Sequence, residues 1–335
     1  MKRKVGMKEH TLNSSAQANG AKWFLVVNPI SGSGKGLDDF PLISKLLRDN
    51  EISCEAVFTE HKHHATELTV SAITLGYRNI IVAGGDGTLH EVINGLFIQK
   101  CVEPSEVTIA VIPVGTGNDW IRMYGLPTRY AAVIRAIKEG YTFLQDVAAV
   151  EYEESRYRQT RYMANVAGVG FDAAVIKRGQ SMDNGKKRGA SFYIRALVNT
   201  FFRYKPTGVK IWVDDRLMYN NLLFSLAMGV GKYNGGGIQQ LPQSVADDGL
   251  LDVTLIKPIH WWHVVFRLRR FFNGEIYSIG HVQHIQGSKI RIESSPEIYL
   301  EIDGELLGGT PVELRVLHRA VKVIVNKSFI DKLKA

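Results

Sequence analysis

Between Lys22 and Asp146 short apolar runs alternate with stretches of helical periodicity. KWFLVVNP, SCEAVFTE, NIIVAGG and VTIAVIPVG read as strands, and DDFPLISKLLRDN and ATELTVSAITLGY read as helices between them. This alternation predicts an α/β domain with a doubly wound, mostly parallel sheet. In such sheets ligands sit beyond the carboxyl ends of the strands, where this chain carries its glycine-rich loops. From Val147 the texture changes to shorter strand candidates separated by turn residues: RYMANVAGVG, GVKIWVDD, LLFSLAMGV, LLDVTLIK, KIRIESS, IYLEIDGE and PVELRVL. These predict an antiparallel, β-sandwich-like or barrel-like second domain. The organisation expected is a loose tail over residues 1–21, a nucleotide-binding domain over 22–146, a β-rich domain over 147–317, and a closing segment, 318–335, packed back on the first domain.

Composition narrows the classes. At 335 residues, 45% hydrophobic and 22% charged, the chain has the apolar content of an ordinary globular protein with more than one core. Its two cysteines, Cys54 and Cys101, are too few and too far apart for a disulfide framework or a zinc site, so a reducing, cytoplasmic setting is expected. The N-terminal stretch is basic and polar, and no apolar run approaches the roughly 18 residues of a membrane span. A net charge of +8 calls for an acidic partner, whether nucleotide, nucleic acid or anionic lipid. No groove-reading motif organises the basic residues, which disfavours nucleic acid.

Three loops carry the chemistry. FLVVNPISGSGKG resembles a phosphate loop, yet Pro29 stands where a Walker A motif needs its first glycine and Gly36 where it needs Ser or Thr. The dinucleotide pattern fails too, with Leu37 at its third glycine position. What remains is a strand, Trp23 to Val27, opening into a glycine and serine loop that can present N–H groups to an anion. NIIVAGGDGTLHEVINGL predicts a strand ending at Ala83, a turn Gly84-Gly85-Asp86-Gly87-Thr88 and a helix from Leu89, with the positive helix end aimed at a phosphate site. VIPVGTGNDWIRMYGLP repeats the construction, and its Asn118-Asp119 reads either as a helix cap or as part of the site.

The ordered set NPISGSGKG, GGDGTLHEVINGL, PVGTGNDWIRMYGLP, ADDGLLDV and EIDGE resembles the diacylglycerol kinase catalytic family, in its soluble bacterial branch that is also similar to sphingosine kinases. The likeness runs over residues 22 to 325. The GGDGT core alone is shared with NAD kinases and phosphofructokinases. The resemblance implies transfer of the γ-phosphate of ATP to a lipid hydroxyl, diacylglycerol first, with magnesium. It implies that Asn28, Pro29, Ser31, Gly32 and Thr59 line the nucleotide site, that Gly84, Gly85, Asp86, Gly87, Thr88 and Leu89 hold the phosphates, and that Thr116 and Asn118 face them. Asp86, Asp119, Arg122 and Asp146 match a charged, magnesium-organising network. A structural magnesium is implied at Asp248 with the carbonyls of Val245 and Leu250, a hard-cation set. Asp303 is the implied general base, with Glu305 second or supporting; the bland reading of Asp303-Gly304 is a hairpin turn. Trp120 and Ser33 depart from residues common in the family at those places.

His61, His63 and His64 look too bunched to enclose a metal and read as solvated surface. HWWHVVFRLRRFFNGEIY interleaves Trp261, Trp262, Phe266, Phe271 and Phe272 with Arg267, Arg269 and Arg270. It reads equally as an interfacial helix or a packed one, and Lys186, Lys187 and Arg188 add basic charge nearby. The expectation is a kinase that visits the anionic inner face of the membrane, with a homodimer left open. Other acceptors (sphingoid base, ceramide, polyprenol, NAD) and a nucleotide-binding membrane sensor without turnover are the rivals.

Overall fold

The computed structural model describes residues 22–181, 199–260, 267 and 269–334. The first domain runs β1 (Trp23–Val27), α1 (Lys35–Asp38), α2 (Phe40–Asp49), β2 (Cys54–Phe58), α3 (His64–Thr74), β3 (Asn79–Gly84), α4 (Asp86–Ile98), β4 (Thr108–Pro113), α5 (Asp119–Met123) and α6 (Tyr130–Glu139). Its strands pair in parallel in the order β2, β1, β3, β4. β1 is buried at all five positions, the signature of a strand covered on both faces. The helices supply the cover: α2 buries Ile43 and Leu47 while Lys45 and Asp49 stay outside. α6 stops at Gly140, whose φ of 71° closes the helix in the left-handed region.

The second domain holds β5 (Thr142–Glu154), β6 (Tyr157–Met163), β7 (Val166–Gly170), α7 (Phe171–Ser181), β8 (Thr207–Val213), β9 (Arg216–Leu223), β10 (Ser225–Gly229), β11 (Leu251–Ile256), β12 (Val282–Gly287), β13 (Lys289–Ser295), β14 (Tyr299–Ile302) and β15 (Glu305–Ile324), before α8 (Lys327–Lys334). Its pairings are antiparallel, and it is sandwich-like around its own core, in which Val150, Ile211, Leu226, Leu300 and Leu314 are buried. The expected α/β and β-sandwich classes are both present.

β15 joins the two. Its start pairs with β14 and its middle with β5 and β13, whereas Lys322 and Val323 pair in parallel with β4. Val321, Val323, Val325 and Ile330 lie in the first core, and Phe329 packs edge-on against Tyr124 and Phe143. A boundary at 146/147 falls inside β5, which is continuous from Thr142 to Glu154. Two further details differ from the sequence reading. α7 lies within the β-rich half, and α4 begins at Asp86, three residues earlier than expected, because Thr88 and Leu89 both donate to the Gly85 carbonyl.

Candidate active site

Three loops at the carboxyl ends of β1, β3 and β4 meet, and missing side chains let them meet. After β1 the chain turns through Gly32, Ser33 and Gly34 with φ of 61°, 64° and 101°. A Cβ on Gly32 would lie 2.2 Å from the Val114 carbonyl oxygen, and one on Gly115 would lie 2.5 Å from the Gly85 Cα. Asn28 Nδ2 donates to Thr88 Oγ1 at 2.9 Å, and Asn28 Oδ1 accepts the Ile30 N–H at 3.2 Å, so the turn containing Pro29 and Ser31 is tied to α4. Thr59 follows β2 with its N–H on the Val27 carbonyl at 2.8 Å. Gly84 ends β3, and Asp86 and Gly87 open α4, in the turn whose N–H groups lack helical acceptors. Thr116 is exposed on the neighbouring loop. The junction offers N–H groups at the positive end of a 13-residue helix, an arrangement that can cradle an anion. Two candidates serve its shape instead. Leu89 is buried in the first core with its N–H on Gly85, and Asn118 Nδ2 turns back to the Gly115 carbonyl at 2.7 Å.

Beside the cradle the structure gathers carboxylates. Asp86 accepts the N–H groups of Asp119 at 3.1 Å and Trp120 at 3.2 Å, so a residue of α4 caps α5. Burial holds the Asp86 carboxyl above its ordinary range, helped by the charges of Asp119 and Asp303 and opposed by those two N–H groups. Asp119 Oδ2 accepts the Gly236 N–H at 2.7 Å, whereas Oδ1 is buried without a hydrogen-bond donor. Burial raises the Asp119 carboxyl as well. Arg122 Nε stands 3.5 Å from Asp119 Oδ1. Asp119 Oδ1 takes no hydrogen bond among the described residues and is faced by the Arg122 charge; beside the second buried carboxylate, that of Asp86, it fits a divalent cation.

Asp146 does not join this group. It is fully buried on β5, where it accepts Arg319 N–H at 2.6 Å, Gly249 N–H at 2.7 Å and His318 Nδ1 at 3.0 Å. It belongs with Asp248, whose carboxyl is pushed up by burial and then by the charges of Asp252, Asp146 and Asp247, against one bond from the Leu250 N–H. Asp252 Oδ2 is buried without a donor. Among the described residues Asp248 is bound only by the Leu250 N–H, so its carboxylate and the carbonyls of Val245 and Leu250 would make a hard-cation set.

Asp303 and Gly304 have φ of 49° and 87° and separate the paired residues Ile302 and Glu305, so they form a two-residue hairpin turn. The turn reading is met, and the turn places the Asp303 side chain, 4% exposed, in the lining of a cavity with Asp86 and Asp119. Its Oδ1 accepts the Val166 N–H at 3.0 Å, and its Oδ2 accepts the Ala164 N–H at 3.3 Å and His90 Nδ1 at 3.0 Å. Glu305 lies on the far side of His90, whose Nε2 is 3.8 Å from it, and pairs with Lys62 in a separate pocket. Burial works to raise the Glu305 carboxyl, but Lys62, His90 and His63 together hold it below its ordinary range.

The cavity behind Asp303 has a volume of 340 Å³. Phe171, Val175, Phe224, Ile256, Ile259 and Ile276 give it an apolar wall, and Asp172, Asn234, Gln240 and Glu301 add polar groups. The sequence reading missed His90 and Glu301. The signal for His90 was its place four residues after Asp86, one turn along the same face of α4. For Glu301 it was the period of two that sets it on the Asp303 side of its strand. His61 and His64 stack at 4.5 Å, with ligand atoms from both and from Glu67 within 4.8 Å of one another. His64 Nδ1 accepts the Glu60 N–H, so the proton of its neutral ring sits on Nε2 and the pair offers one free imidazole lone pair, on His61. Trp261, Trp262, Phe266, Lys186, Lys187 and Arg188 lie outside the described residues, as does the tail 1–21.

Residues 22–150 match the family model described as the diacylglycerol kinase catalytic domain, and residues 165–325 match the one described as the YegS C-terminal NAD kinase beta sandwich-like domain. A diacylglycerol kinase of Mycobacterium tuberculosis is 24% identical over 302 residues, spanning 89% of this chain and 93% of that protein. One of Bacillus subtilis is 26% identical over 271 residues, spanning 80% and 84%. A solved diacylglycerol kinase of Bacillus anthracis str. Sterne, 24% identical, shares the fold with a TM-score of 0.68 over 92% of this chain and 98% of its own. With both domains matched in order, the chain belongs to the diacylglycerol kinase-like family of lipid kinases.

Proposed function

We propose that the chain transfers the γ-phosphate of ATP to the hydroxyl of diacylglycerol, giving phosphatidic acid. The observation that carries this reading is one cavity with two characters: Asp86, Asp119 and Asp303 at one part and a wall of Phe and Ile at another. An acyl chain suits the wall, and a soluble dinucleotide does not, which sets NAD aside as acceptor.

The loops after β1, β3 and β4 bind the phosphates through backbone N–H groups and the α4 terminus. The acceptor oxygen forms a bond to the γ-phosphorus as the bond from that phosphorus to the β–γ bridging oxygen breaks, and ADP leaves. Asp303 takes the hydroxyl proton; His90 and two backbone N–H groups hold its carboxylate in one orientation. Asp86 and Asp119 would hold magnesium, which neutralises phosphate charge when bound. The second ion would rest at Asp248, away from the phosphates, in a structural role.

Among the described residues no helix is long and apolar enough to cross a membrane. We read the chain as a cytoplasmic enzyme that touches the anionic membrane surface. The net charge of +8 supports this, as do Phe202 and Phe272, 68% and 48% exposed.

The test is transfer of labelled γ-phosphate from ATP in mixed micelles, offering diacylglycerol, ceramide, sphingosine and polyprenol, with Asp303→Asn alongside. Label on diacylglycerol that vanishes in the variant is the expected result. Label on another lipid alone would replace the acceptor, and ATP bound without any label would favour a sensor.

A further inference from the structure

Glu301 is fully buried, and the partners of its two oxygens lead to opposite halves of the site. Its Oε2 accepts the N–H of Gly304 at 3.0 Å, the second residue of the hairpin turn that carries Asp303. Its Oε1 accepts Asn234 Nδ2 at 3.1 Å. Asn234 opens the glycine loop Gly235–Gly237, and its own Oδ1 accepts the Gly235 N–H at 2.8 Å. The next N–H along, from Gly236, is the one that reaches across the domains to Asp119 Oδ2 at 2.7 Å. A single carboxyl thus lies in the path from the base hairpin to the first domain's Asp119. β7 leaves room for it: a Cβ on Gly168 would stand 2.9 Å from Glu301 Oε1.

We propose that Glu301 is the positioning residue that sets the Asp303 hairpin of the second domain against the Asp119 carboxylate of the first. The proposal rests on the kinase reading above. Asp303 must meet the acceptor hydroxyl within hydrogen-bond reach while Asp119 holds its place beside the phosphates, and misplacement of about 1 Å costs rate steeply. The Asp303 turn is a two-residue hairpin in the left-handed region, and the Asn234 loop carries three glycines with positive φ, so neither is stiff by its own sequence. Glu301 gives both one fixed anchor.

Phosphate transfer to diacylglycerol is measured for the wild type, Glu301→Gln, Asn234→Ala and the double variant, with ATP binding by calorimetry and melting curves as controls. A Gln side chain satisfies one donor and opposes the other, so each single change should lower kcat about tenfold, the weight of one hydrogen bond. ATP affinity should stay within about twofold, because the phosphate loops are untouched. The double variant should be no slower than about the worse single one, since both cut the same link. A merely structural Glu301 would lower melting temperature and leave the surviving enzyme's kcat unchanged. Losses that multiply to about a hundredfold, or a kcat that stays put, overturn the proposal. If Glu301→Gln does not fold, Gly168→Ala displaces the carboxyl without removing a donor, and it must then lower kcat or the proposal falls. A wild type that phosphorylates no lipid overturns the kinase reading and this proposal with it, whereas an active wild type with independent variants overturns this proposal alone.

Discussion

His90 Nδ1 lies 3.0 Å from Asp303 Oδ2, joining residues 213 positions apart in the chain. One comes from the buried face of α4, the other from a hairpin of the second domain, and both side chains are less than 5% exposed. The contact therefore registers Asp303, the proposed base, against the helix whose first residue, Asp86, stands one turn away.

Loss of that contact should cost rate. In His90→Ala the Asp303 carboxylate keeps two backbone donors and loses its side-chain partner. A hydrogen bond to a charged group is worth about 2 kcal/mol, which is roughly 30-fold in kcat. The KM for ATP should not change, because the cradle backbone is untouched. Steady-state kinetics with diacylglycerol micelles checks this, and equal rates for the two proteins would remove His90 from the mechanism.

Asp303→Asn should abolish turnover while sparing the fold. Asparagine tolerates the left-handed φ of 49° that the hairpin needs, so the turn survives. Its amide cannot take the hydroxyl proton, and loss of a general base costs on the order of a thousandfold. Calorimetric ATP binding should match the wild type. Weakened ATP binding together with lost turnover would mean that Asp303 holds the nucleotide instead.

Gly115→Ala tests the cradle. The new methyl group would lie 2.5 Å from the Gly85 Cα, backbone against backbone, so the loops after β3 and β4 must part. Overpacking of this kind costs about 1–3 kcal/mol. Melting temperature should fall and the KM for ATP should rise, with the KM for lipid less affected. An unchanged ATP KM would mean that the junction of these loops does not touch the nucleotide.

Which parts could be read from the residues follows from the range of the interactions. The parallel sheet was legible because each strand is a continuous apolar run between helices, a local pattern. The glycine loops were legible because positive φ and close backbone approach exclude other side chains. His90 was hidden by its type: a lone histidine on a helix has no meaning until Asp303 arrives from far along the chain. Asp146 was misplaced for the same reason, since its partners Gly249, His318 and Arg319 come from two distant segments. α7 was missed because what holds it is long-range: between the strand-like runs RYMANVAGVG and GVKIWVDD nothing local marks it, and its Phe171 packs against Phe224, which lies between β9 and β10.

Glu301 should also write a pH dependence into stability. Burial, then the charge of Asp172, pushes its carboxyl from 4.5 up to about 8 in the folded protein. Below about 4.5 the folded and unfolded states both keep the proton, and the residue contributes no slope. Between 4.5 and about 8 the unfolded chain has released it while the folded protein still holds it, so each rise in pH favours unfolding. Above about 8 the folded form has ionised as well, and the loss levels off. Asp172, raised by burial to about 6, adds in the same direction over the lower part of that window. The wild type should therefore melt at a lower temperature at about pH 8 than at about pH 5, and Glu301→Gln, which cannot ionise, should lose less over the same interval. The comparison is between slopes, so a constant cost of the amide in the variant does not disturb it. Parallel slopes for the two proteins would mean that the Glu301 carboxyl is already ionised when the protein folds, held by the Asn234 and Gly304 N–H groups that reach its two oxygens.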